Sequence, residues 1–176
     1  MQCKRELLEG ALMGDATVTH NYVLYSNKRE FLEWFSYQMG ENGHDVRLNK
    51  EVDGGKDIYC VGVALPEKVS EWRNKWYPEG EKRIPEDILL TPQMASMWYA
   101  TDGGLTYHED QVNPNASIRC VNESDRMDLV GSLFEEQGFD PWLHSSGRVE
   151  FSVSETKKLI DWLEPVPDGY EYKYEL

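Results

Sequence analysis

The chain has 176 residues, 40% of them hydrophobic and 12% aromatic, with six Trp; that is enough apolar material for a packed core and excludes a wholly disordered chain. No run approaches the roughly 18–20 apolar residues of a membrane helix. The charge is 18 Lys+Arg against 32 Asp+Glu, or −14, which works against nucleic-acid binding in ordinary salt, where phosphate contacts need Lys and Arg. The deficit is uneven, with 12 basic and 16 acidic residues in 1–88 and 6 and 16 in 89–176. An acidic surface suits a high-salt cytoplasm, where repulsion is screened within roughly 3 Å at 1 M salt, so the expected setting is the cytoplasm of a halophilic archaeon, or its virus. The N-terminal segment lacks a signal-peptide core. Cys3, Cys60 and Cys120 are too few and too scattered for a disulfide framework or a zinc site, and read as reduced, buried thiols.

Leu7, Leu8, Ala11 and Leu12 recur at helical spacing, and Gly14-Asp15-Ala16 ends that helix. Short strands are predicted at Thr17–His20 and Tyr22–Asn27. A helix follows over Arg29–Gly40, with Phe31, Leu32, Trp34, Phe35 and Met39 as its apolar stripe. Val46–Val52 and Ile58–Leu65 read as a hairpin around Asp53-Gly54-Gly55, and Pro66 opens a third helix to about Trp76. The pattern then restarts. Thr91-Pro92 sets an N-cap and a first-turn proline, and the helix Gln93–Thr101 stops at Asp102-Gly103-Gly104. Strands are predicted near Leu105–Glu109 and Ser117–Val121, a helix over Ser124–Gln137, a hairpin of Trp142–His144 with Val149–Val153, and a last helix, Glu155–Leu163, capped by Ser154. The Trp residues read as core or helix-interface residues. The order predicts an α+β fold of two αββαββα-type repeats, 1–85 and 86–176, joined through Pro78–Leu90.

Each repeat opens with a helix that ends in an aspartate. Gly10 and Gly14 share one face of the first helix, with Met13 between them; Met97, Ala100 and Thr101 match them in the second by distance from the aspartate. Small residues there let two helices approach closely. Side by side, the helices bring Asp15 and Asp102 together, where mutual repulsion and burial raise their proton affinity. A divalent cation, Mg²⁺ or Mn²⁺, relieves that strain, since carboxylate and phosphate oxygens suit it. Such a centre fits phosphodiester hydrolysis. A pseudo-two-fold protein matches the near-symmetric backbones of duplex DNA, so the antiparallel sheets are expected to form a saddle entering the major groove. His20, Asn21, Tyr25, Ser26, Arg47, Lys50 and Lys56 in the first repeat, and Arg119 and Arg148 in the second, are the expected contacts to bases and phosphates.

The stretch Leu7-Leu8-Glu9-Gly10-Ala11-Leu12-Met13-Gly14-Asp15-Ala16 resembles the first motif of the LAGLIDADG homing endonucleases. The stretch from Arg83-Ile84-Pro85 through Met97-Trp98-Tyr99-Ala100-Thr101-Asp102-Gly103-Gly104 resembles the lead-in and second motif of their single-chain, intron-encoded branch. Tyr172-Lys173-Tyr174 is similar to that branch's terminal Tyr-Lys-Leu. The resemblance implies a monomeric, metal-dependent DNA endonuclease with a long target, Asp15 and Asp102 as its metal-binding aspartates, and Lys173 as a lysine that helps the site. Two residues depart from the pattern: Glu9 stands where the motif has a small residue, and Thr101 replaces the first Asp of Asp-Asp-Gly. A rival reading keeps the fold without cutting, as a DNA-binding regulator or an RNA-splicing maturase with intron RNA as partner. A second rival is an interaction protein with a degenerate site.

Overall fold

At the centre, helices α1 (Gln2–Met13) and α4 (Pro92–Asp102) lie along each other. The computed structural model describes residues 2–19, 22–26, 28–40, 46–53, 56–64, 69–107 and 112–176. Leu7, Leu8, Ala11 and Leu12 are buried as their spacing predicts. In α4 every residue from Met94 to Ala100 is buried; a helix covered on all sides belongs to a core. Thr91 caps it, its side chain accepting the Met94 N–H at 3.3 Å, with Pro92 in the first turn.

Each central helix leads into a four-stranded antiparallel sheet. The first is built from β1 (Thr17–Val18), β2 (Tyr22–Ser26), β3 (Val46–Asp53) and β4 (Lys56–Val63), in the order β1-β2-β4-β3. The second is built from β5 (Gly103–Thr106), β6 (Asn115–Arg119), β7 (Trp142–His144) and β8 (Arg148–Glu150), in the order β5-β6-β8-β7. The same permutation twice establishes the repeat that the element order predicted. Helices α2 (Arg29–Gly40) and α5 (Met127–Glu135) carry the apolar stripes of the two repeats, and α3 (Val69–Trp76) and α6 (Val153–Trp162) close them. Phe31, Phe35, Trp72 and Trp76 fill the first repeat's core, while Trp98, Phe134, Phe139 and Phe151 form an edge-and-stack cluster in the second. Trp142 departs from the expected burial, at 52% exposed on an edge strand. Cys60 and Cys120 are buried and outside any disulfide, as expected, and the Cys3 side chain lies outside the described residues.

Several boundaries differ from those the sequence predicts, the ends of β6, β8 and α6 among them, and three bear on the site or the caps. Asp102 closes α4, so β5 begins at Gly103. Ser152, not Ser154, caps α6, its hydroxyl accepting the Glu155 N–H at 3.3 Å. The helix expected from Ser124 starts at Met127, because residues 121–123 form a 3-10 turn that draws Glu123 inward to 3% exposure.

Candidate active site at the ends of the paired helices

The two central helices touch through the residues the spacing singled out. A Cβ on Gly10 would stand 2.6 Å from Met94 Cα and 2.9 Å from Met97 Cβ, and one on Gly14 would overlap Thr101 Oγ1. Met97 and Ala100 are fully covered, and Met13 is 7% exposed. Both glycines are therefore required by close approach rather than by backbone conformation.

This seam sets where the aspartates emerge. Asp15 and Asp102 line one cleft of about 480 Å³, with Thr17, Tyr77, Lys82, Arg119 and Glu123 also on its walls. Asp15 is exposed and Asp102 half-buried. Both sit at helix C-termini, the negative ends of the dipoles, so two carboxylates and two helix ends concentrate negative potential in one place. Burial, then the nearby Asp15 carboxylate, pushes the Asp102 carboxyl up to about 6; Lys82, a hydrogen bond from Thr101 (3.4 Å) and Lys173 pull the other way.

Two lysines answer that potential. Lys82 Nζ donates to Gly14 O and, at 3.1 Å, to Ala16 O. Lys173 Nζ donates to Ala100 O at 2.8 Å and Gly103 O at 2.7 Å. Each ties its ammonium to the carbonyls around one aspartate, satisfying acceptors that a helix end leaves open. Burial lowers the pKa of both, with Asp102 the largest opposing influence in each case. Lys173 is the lysine the sequence singles out, and Lys82 is one it does not. Its only signal was position: it follows α3 in the first repeat as Lys173 follows α6 in the second.

The segments carrying these lysines cross between repeats. The linker holding Lys82 is fixed to the second repeat, where Arg83 pairs with Asp125 at 2.6 Å and the Ile84 N–H donates to Glu123 at 2.8 Å. The C-terminal segment holding Lys173 is fixed to the first, where Lys28 Nζ donates to Gly169 O at 2.9 Å and Tyr170 meets the Phe31 ring edge-on at 5.1 Å. Tyr174 and Tyr99 fasten the same segment to α4: Tyr174 O–H donates to Ser96 O at 2.9 Å, and Tyr99 O–H to Lys173 O at 3.0 Å.

The residues expected to contact DNA divide by strand register. Arg119 and Arg148 are directly paired across β6 and β8. Arg148 Nη2 lies 3.1 Å from Glu150 Oε2, which also takes His144 Nε2 at 3.2 Å; the sequence reading did not single out this carboxylate. Arg47 pairs with Gly62, whereas Lys50 pairs with Tyr59 in the row of the buried Val61 and Val63. Side chains alternate along a strand, so Arg47 and Lys50 belong to opposite faces. Tyr25 pairs with Cys60 and Ser26 with Tyr59 across β2 and β4. Lys56 pairs with Asp53 at the hairpin end. His20 and Asn21 lie outside the described residues.

Residues 5–163 match the model of the LAGLIDADG DNA endonuclease family. The chain belongs to that family. It is 33% identical over 147 residues to an uncharacterized protein of Methanocaldococcus jannaschii, covering 77% of this chain and 57% of that protein. It is 26% identical over 195 residues to the RecA protein of Mycobacterium shimoidei, covering 96% and 45%. The chain thus spans about half the length of these relatives. Among solved structures, the homing endonuclease I-WcaI bound to its DNA recognition sequence superposes with a TM-score of 0.76 at 12% identity, over 100% of this chain and 87% of that one. The N-terminal LAGLIDADG domain of WhiA gives 0.60 at 10%, over 92% and 84%. I-DmoI in complex with DNA and Ca gives 0.56 at 11%, over 97% and 96%. These likenesses establish a shared fold.

Both departures from the LAGLIDADG pattern have structural compensation. Glu9, 8% exposed, lies 3.2 Å from Arg5 Nε and 3.5 Å from Lys75 Nζ, so its charge is paired. Thr101 Oγ1 lies 3.2 Å from Trp98 O and occupies the room that Gly14 leaves.

Proposed function

We propose that the protein is a site-specific endonuclease that makes metal-dependent double-strand breaks in DNA. The observation that carries this reading is the pair of aspartates at the ends of two packed helices, in one cleft, each flanked by a lysine tied to its helix end. Family membership supports it, as do the DNA-bound I-WcaI and the I-DmoI complexes with DNA and Ca or Mn.

Asp15 and Asp102 would hold divalent cations, Mg²⁺ or Mn²⁺. The donor set fits: Mg²⁺ is typically bound through one or two carboxylates together with substrate phosphates and water, and an Asp102 carboxyl raised to about 6 gains from a nearby cation. When bound, the metal stabilises charge on the leaving oxygen and acidifies the attacking water. Lys82 and Lys173 place fixed positive charge beside the phosphates. Arg119 and Arg148 on the second sheet and Arg47 on the first contact the duplex. Residues 1–85 and 86–176 form the two repeats, each serving one strand, within a single chain acting as a monomer. The −14 charge favours work in high salt, where solvent ions replace part of the screening that basic residues give elsewhere.

The test is cleavage of a randomised duplex library with Mg²⁺ or Mn²⁺ from low to molar KCl. Metal-dependent double-strand cuts at one site support the enzyme. The second reading is a regulator, or a maturase acting on intron RNA, that keeps the fold without cutting. Site-selective binding without cutting would select it.

A further inference from the structure

Glu123 is a buried carboxylate on the second repeat with no place in the metal chemistry above. It is 3% exposed, at the end of the 3-10 turn before α5. Its Oε1 accepts the Ile84 N–H at 2.8 Å, and its Oε2 accepts from Arg126 Nε at 3.0 Å and from Arg126 Nη2. Arg126 Nη2 in turn donates to Ile84 O at 3.0 Å. Both backbone polar groups of Ile84 are therefore clamped by one ion pair. Arg83 is held by Asp125 and by the Asn122 carbonyl on the same turn, and its own N–H reaches Trp76 O at 2.8 Å.

Lys82 immediately precedes this clamp. Its main chain runs into a segment fixed by the second repeat, while its ammonium ends on Gly14 and Ala16 of the first. A carboxylate as deep as that of Glu123, paired with a half-buried Arg126, is a costly way to fill space, because an apolar side chain of similar volume would avoid the desolvation penalty. What it adds is a fixed main-chain position beside Lys82. We propose that Glu123 is the positioning residue for Lys82, setting from the Asp102-bearing repeat the lysine that flanks Asp15. Completion of one strand's cutting site then depends on correct docking of the other repeat. The effect on cutting rests on the endonuclease reading; the effect on Lys82 does not.

Two readouts test the role in the full-length protein. The first is the ¹⁵N ammonium resonance of Lys82, assigned by its loss in Lys82→Arg. Held by two carbonyls, it gives an exchange-protected signal in the wild type. Glu123→Ala removes that signal and leaves the Lys173 signal in place. The second is cutting of a supercoiled plasmid carrying a library-selected site. Glu123→Ala lowers kcat by about 100-fold, the scale of a misplacement near 1 Å, with KM unchanged and nicked circles accumulating. Combined with Lys82→Ala it adds no further loss, because the two changes remove one function. A retained Lys82 signal, or losses that multiply in the double variant, overturns the role. If the Ala variant does not fold, Glu123→Gln carries the test: it keeps an acceptor for Ile84 but turns N–H donors toward Arg126, so a weakened Lys82 signal supports the role and an unchanged signal overturns it. A wild type that cuts no DNA, together with loss of the Lys82 signal in Glu123→Ala, removes the endonuclease reading and leaves the positioning role standing.

Discussion

Gly10 on α1 and Met94 on α4 are in backbone contact: a Cβ on Gly10 would stand 2.6 Å from both Met94 Cα and Met94 O. Neither atom belongs to a side chain that can swing aside. Gly10→Ala is therefore expected to destabilise the protein by about 1–3 kcal/mol, as overpacking of a tight core does, despite alanine's better helix propensity. Gly40→Ala is the control, since nothing lies within 4 Å of a Cβ there, and it should be neutral or slightly stabilising. Urea unfolding of the two variants makes the comparison.

Asp102 carries an electrostatic cost that the metal-free protein bears alone. Its folded-state pKa is raised to about 6 from an ordinary 3.8. A carboxyl that holds its proton more tightly when folded contributes stability below its unfolded pKa, and that contribution is lost as pH rises through the folded value. In chelator, stability of the wild type relative to Asp102→Asn should thus fall between about pH 4 and 6. Near neutral pH, Asp102→Asn should be the more stable by roughly 2 kcal/mol. Thermal unfolding across that range with EDTA checks it, and saturating Mg²⁺ should narrow the gap by stabilising only the wild type.

Glu9 is tolerated in the helix seam because Arg5 and Lys75 balance it. Lys75→Ala leaves a carboxylate that is 8% exposed with Arg5, itself partly in solvent, as its partner among the described residues, and should destabilise by about 1–3 kcal/mol. Adding Glu9→Ala should recover part of that loss, since the stranded charge goes with it. Additive losses in denaturant unfolding would show that the pairing is not what accommodates Glu9.

Lys82 and Lys173 are expected to act on rate rather than on affinity. Each ends on carbonyls beside an aspartate, so Lys82→Met and Lys173→Met should each lower kcat by about 100-fold, the scale of losing one preorganised electrostatic donor. Binding of the duplex in Ca²⁺ should stay near wild type. Gel-shift titrations beside single-turnover cutting separate the two effects, and a fall in affinity with unchanged kcat would assign these lysines to phosphate anchoring.

What the sequence made legible follows from periodicity. The helical recurrence of Leu7, Leu8, Ala11 and Leu12, the Thr91-Pro92 cap and the turn residues at Gly14 and Gly103 located both central helices and the repeat. The Gly10 and Gly14 seam was readable because close approach admits only small residues. Lys82 was not readable, because it sits in a linker without periodicity and gains meaning only when the chain folds back onto α1. Glu123 was missed for the same reason: a polar residue near a predicted helix start resembles an ordinary surface position until its 3% exposure is seen. Arg47 and Lys50 stand three apart on one strand, a spacing that alone puts them on opposite faces; pairing adds which row each joins, Lys50 that of Tyr59 and Arg47 that of Gly62. Ser152 rather than Ser154 caps α6, since its side chain is the one that accepts the Glu155 N–H, and sequence alone does not show that geometry.

On the proposed reading, Asp15 and Asp102 together form one metal-dependent cutting centre. Strand-resolved cleavage of a library-selected duplex by wild type, Asp15→Asn and Asp102→Asn, in Mg²⁺ and in Ca²⁺, tests it most directly. Each substitution is expected to abolish double-strand breaks while site-specific binding in Ca²⁺ persists. Double-strand cutting that survives either substitution in a folded protein would contradict it.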